Sequence, residues 1–216
     1  MNWKRFSFLF LIFILIPISN YAYDISTEGQ ILSQKLDGME VDKHWLPSKE
    51  PLDWKTGDPL EQRKPSTSLM THCSGFVAAA CMRLNIYILR PPDHSYGYLA
   101  NAQNDWLISQ GEQNGWSQIT SLLEVQQFAN QGNLIVAVCR NPKPNSHGHI
   151  AIVRPSTKRE SLILEEGPDI IQAGARNHVC TSLKQGFKYH PNELRENKVL
   201  FFAHKINWEN EKTYHP

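Results

Sequence analysis

An α+β domain is what this chain predicts, on three observations. Helix-compatible segments crowd the first half, short apolar runs fill the second, and the loops between those runs are too short to carry crossover helices. The expected architecture is N-terminal helices packed on a small antiparallel or mixed sheet. No internal repeat, low-complexity tract or domain linker divides the chain.

Residues 1–22 read as an export signal peptide, not as part of the fold. A basic head containing Lys4 and Arg5 precedes the apolar run Phe6–Ile18, and Ala22 offers a small residue for cleavage. Thirteen residues ended by Pro17 are too few to span a bilayer comfortably, so no stable membrane span is expected after processing. The expected location is secreted or periplasmic. The precursor carries 22 basic and 21 acidic residues, and loss of the leader leaves a net charge of −1. Such a balance gives no reason to expect nucleic-acid binding or attachment to an anionic surface.

Residues 23–69 form an expected extension packed on the domain. A weak helical or extended segment covers residues 23–42. Pro47, Pro51, Pro59 and Pro65 then break any long element, and Trp45 and Trp54 are expected to pin the segment down. The first strong helix runs from Thr71 or Cys73 to Leu84, with Cys73, Val77, Ala80, Cys81 and Leu84 on one face. Its glycine and alanines allow a close neighbour. A second helix is expected over 99–110. A third follows Ser121, whose spacing to Glu124 is that of a capping box, and ends near Gly132.

The second half changes period. Strands are expected at 134–139, 149–153, 161–164, 169–172 and 199–203, with a helical turn at 182–186. Residues 206–216 are read as a tail.

Cys73 stands just before a helix-forming run, where a helix N-terminus can lower a thiol pKa and leave the sulfur open to a substrate. The plainer reading is a buried, inert cysteine. His149 opens an apolar strand beside a flexible loop, a rigid support for a general base. Along it His149, Ala151 and Val153 face one way, and the small Ala151 is expected to admit the cysteine helix. Gln172 ends another apolar strand. Its amide carbonyl can accept a proton from the imidazole and fix the tautomer, although a solvent-facing strand end accounts for it equally. His147 and Asn177 are the weaker candidates for base and orienter, because both lie in loops. Of the four cysteines, Cys139 with Cys180 is the pair to test for a disulfide, while Cys81 reads as core. A zinc site on His147-x-His149 with Cys139 or Cys73 lacks any supporting HExxH or CxxC motif, and no cofactor motif is present.

Taken together, Cys73-Ser74-Gly75-Phe76-Val77, Gly148-His149-Ile150-Ala151-Ile152 and Ile171-Gln172-Ala173 resemble the NlpC/P60 superfamily of papain-like cysteine peptidases and amidases. Their order is also similar to that of the CHAP amidases. The resemblance covers residues 70–205 and implies a papain-like catalytic domain. It implies Cys73 as nucleophile, His149 as base and Gln172 as orienter, with a peptidoglycan stem peptide or amide as substrate; the chain itself is expected to be a monomer. His72 and Ser74 are candidate oxyanion or substrate contacts. His72 departs from the aspartate usual before the family's cysteine, and the family's upstream tyrosine and paired glycines are not recognisable in residues 43–70. Ordinary protein or small amides, and a silent binding protein on the same fold, are the alternatives.

Overall fold

A computed structural model of the chain describes residues 24–61 and 63–211. The expected leader and the end of the tail lie outside the described residues. The elements run α1 (Thr27–Asp37), α2 (Cys73–Arg83), α3 (Leu99–Gln110), β1 (Trp116–Ile119), α4 (Leu122–Asn130), β2 (Leu134–Cys139) and β3 (His149–Val153). They continue with α5 (Glu160–Glu166), β4 (Asp169–Gln172), β5 (His178–Ser182), α6 (Leu183–Gly186), α7 (Pro191–Arg195), β6 (Leu200–His204) and α8 (Trp208–Glu211).

The six strands form one sheet in the order β1-β6-β2-β3-β4-β5. Every pairing is antiparallel, so the fold is α+β as the short loops imply. Strand β2 is wholly buried because the sheet is covered on both faces. Leu134, Val136 and Val138 join α1, α2 and α3 in one core, while Ile135, Ala137 and Cys139 join Val125 and Ala129 of α4 and Leu183 of α6 in the other. Burial on both sides explains why Leu134–Cys139 is a continuous apolar run, without the alternation of a half-exposed strand.

Helix α2 lies at the centre of the first core. It is buried all round from Cys73 to Cys81, more completely than a single apolar face requires. It packs against the Ile150 and Ile152 side of β3, and Ala151 belongs to the opposite core. The expectation that Ala151 admits the cysteine helix is therefore corrected: close approach comes from the small residues of α2 itself.

Residues 161–164 are helical, not extended. Only Ile163 of that run is fully buried, Leu164 is exposed, and Gly167 at φ +79° ends the helix. A three-residue apolar run between Ser161 and Glu165 is a helix turn with one inward residue, which a strand period cannot distinguish. Strands β1 and β5 were not foreseen. Strand β1 exposes Ser117 and Gln118, β5 exposes Val179 and Cys180, and the two strands are the edges of the sheet.

The extension is tied to the domain by specific groups. Trp45 is fully buried against Phe76, and its Nε1 donates to the Trp54 carbonyl. Arg154, at the end of β3, makes a two-pronged contact with Asp37 of α1 at 2.7 and 3.1 Å. In the tail, Ile206 is buried and the Trp208 Nε1 donates to the Gly132 carbonyl.

Candidate active site

Cys73 is the first residue of α2 and is 6% exposed. His72 occupies the N-cap without a side-chain capping bond. Serine, threonine or aspartate there would satisfy one of the first amides of the helix; histidine leaves these donors at the helix's positive end for another acceptor. Burial raises the Cys73 thiol pKa, and the backbone N–H groups of Ile150, Ser74 and Cys73 itself pull it partly back. The sulfur thus sits beside the peptide that immediately follows His149. No hydrogen bond joins it to the His149 ring among the described residues.

His149 and Gln172 come together. The Nε2–H of His149 donates to Oε1 of Gln172 at 2.8 Å, with both side chains buried. The Gln172 amide is oriented in turn by its Nε2, which donates to the Arg176 carbonyl at 3.3 Å. An amide oxygen can only accept, so this bond puts the ring proton on Nε2 and leaves Nδ1 with its lone pair. Phe187 meets the ring edge-on at 4.7 Å, and His190 lies parallel to it at 5.8 Å. Burial lowers the His149 pKa to about 4; the Gln172 bond opposes that shift and His190 adds to it. At neutral pH the resting pair is a neutral thiol and a neutral imidazole, not an ion pair.

His72 is enclosed, not a surface residue. It is fully buried, its pKa is lowered to about 4 by burial, and its Nδ1 shares a 2.9 Å hydrogen bond with the Tyr96 hydroxyl. The two rings are stacked at 5.7 Å. Ser74 is also buried, and its carbonyl accepts from Gln103 at 3.2 Å. Neither side chain is free to meet a large substrate directly.

Tyr96 is the residue that sequence reasoning missed. Its hydroxyl lies against the first turn of α2: a Cβ at Gly75 would overlap it, and the neighbouring Cys73 adds to the rise that burial gives its pKa. The only signal in the sequence was Gly75 itself, a glycine inside a helix where a close approach is needed.

Two asparagines position the loops. Asn101 accepts from the Asn141 amide at 3.1 Å and donates to the Ser146 carbonyl at 2.9 Å, holding both ends of the loop that leads to His149. Gly148 passes so close to Asn101 and the Cys139 carbonyl that a Cβ there would collide with both. Asn177 is not an orienter of His149. Its Nδ2 donates to the carbonyls of Val41, His44 and Trp45, and its Oδ1 accepts from Gly174.

His147 stacks on Tyr98 at 4.5 Å, turned away from the part of a base. Cys139 and Cys180 are free, which corrects the pairing suggested for them. Strands β2 and β5 are separated by β3 and β4, so they lie three spacings of about 4.8 Å apart, beyond disulfide reach. Comparison of the chain with protein-family models and with curated proteins gives no match.

Proposed function

We propose that the protein is an exported cysteine hydrolase that cleaves an amide or peptide bond in peptidoglycan through a thioester acyl-enzyme on a papain-like framework. The observation that carries this reading is the His149–Gln172 hydrogen bond, which fixes a buried imidazole with one nitrogen unprotonated while Cys73 opens a helix one peptide away.

Cys73 attacks the amide carbonyl as Nδ1 of His149 takes the thiol proton. Burial raises the thiol and lowers the imidazole, so proton transfer accompanies attack and does not precede it. Sulfur and imidazole are not hydrogen-bonded at rest among the described residues, so the mechanism requires substrate binding to bring the two groups together. The uncapped amides at the start of α2 stabilise the oxyanion. His149 then protonates the leaving amine, and water hydrolyses the thioester.

A second reading, a binding protein with a silent site, draws on the burial of Cys73. Iodoacetamide labelling separates the two. Cys180 is exposed and must first be replaced by serine. In that background Cys73 is expected to label at neutral pH, His149→Ala to slow labelling by about tenfold or more, and Cys73→Ala to abolish it. A Cys73 that labels only after unfolding would count against the enzyme.

A further inference from the structure

Beside His149 lies a cavity of about 180 Å³ whose lining is chemically lopsided. Thr71, two residues before the cysteine, shares its wall with His149 and Gln172, so an occupant would adjoin the N-terminus of α2. Arg176 and Lys188 contribute two cationic side chains, His147, His178 and His190 add imidazoles, and Gln185 and Tyr189 add polar groups. Among the described residues, no aspartate or glutamate lines it. Neither Arg176 nor Lys188 forms an ion pair among the described residues. Two unpaired cations beside a reaction site, in a chain whose charges nearly cancel, mark a local anion trap.

We propose that this cavity binds a carboxylate of the substrate, with Arg176 and Lys188 as its counter-charges. The identity of the ligand rests on the hydrolase reading above; the charge of the cavity does not. A guanidinium matches a planar carboxylate through two parallel N–H donors, and a lysine adds a point charge. Burial holds the His178 pKa down, and the nearby Lys188 and Arg176 charges add to that shift. The histidines do not make the cavity a metal site: the His149 and His190 rings are stacked within 8° of parallel and do not converge, and His149 Nε2 is engaged by Gln172. The cavity therefore selects stem peptides with a free carboxylate over amidated ones.

The test uses the full processed chain with Cys73→Ala, titrated calorimetrically with a synthetic stem peptide carrying free carboxylates and with its fully amidated counterpart. The free-acid peptide is expected to bind about fivefold to tenfold more tightly at low salt, an advantage that shrinks as ionic strength rises. Adding Arg176→Ala and Lys188→Ala together should erase it, Arg176→Lys with Lys188→Arg should restore part of it, and Lys184→Ala, outside the cavity lining, should leave it alone. Both cations are exposed, so their loss does not threaten folding. Equal affinity for the two peptides in the parent protein, or an advantage that survives the double substitution, would overturn the carboxylate site without touching the nucleophile. Tight binding of the free acid by a protein that releases no product before Cys73→Ala would keep the carboxylate site and remove the hydrolase.

Discussion

At the residue scale, His149 is set by what surrounds it. Its Nε2 proton is held by Gln172, and burial keeps the ring neutral down to about pH 4. Gln172→Ala removes the acceptor, so the ring loses its fixed tautomer and a buried donor loses its partner. The expected result is a fall in kcat of about 10²-fold, with a smaller change in KM. The pH profile is a second readout. Activity requires neutral His149, so kcat/KM should fall on the acid side with an inflection near pH 4, well below the ordinary histidine range. A profile that breaks near 6.5 would mean the base is another, more exposed histidine. The chemistry-bearing types of Cys73, His149 and Gln172 were readable in the sequence because each stands at a boundary between an apolar run and a polar segment. Burial was not readable: His72 looks like a polar loop residue and is enclosed, because Tyr96, more than twenty positions downstream, folds over it.

At the element scale, the first turn of α2 carries the nucleophile and a close contact at once. Gly75→Ala puts a methyl group where the Tyr96 hydroxyl sits. The tyrosine must move, and the His72 hydrogen bond goes with it. A destabilisation of about 1–3 kcal/mol is expected from urea unfolding, and adding Tyr96→Phe should recover part of it. Full stability in Gly75→Ala would show that the contact does not constrain the turn. The central elements were legible because their signals are redundant. Residues 134–139, 149–153 and 169–172 are apolar runs bounded by turns, and Ser121 caps α4 by accepting from the Glu124 amide. Where only one residue of a short apolar run turns inward, as at Ile163, or where no apolar run exists, as in the edge strand β5, tertiary pairing decides and the sequence cannot.

At the scale of the whole molecule, the domain is a sheet covered on both faces, with the extension strapped to it by Asn177, by Trp45 against Phe76 and by the Arg154–Asp37 pair. Its response to acid follows from two enclosed histidines. His72 and His149 take up protons near 6.5 when unfolded but only near 4 when folded. The unfolded chain binds more protons between those values, so stability is full above about pH 6.5 and declines as pH falls toward 4, by on the order of 3 kcal/mol per histidine. Urea midpoints at pH 7 and pH 4.5 measure that loss, and His72→Asn should shrink it. A midpoint independent of pH over this interval would mean that these rings are not enclosed in solution.

The hydrolase reading joins all three scales, and one measurement reaches it most directly. Purified peptidoglycan is incubated with the wild-type protein and with Cys73→Ala, and the released muropeptides are resolved by mass spectrometry. New fragments, each corresponding to one cleaved amide or peptide bond, are expected with the wild type and absent with Cys73→Ala. Identical fragment patterns from the two proteins would contradict it.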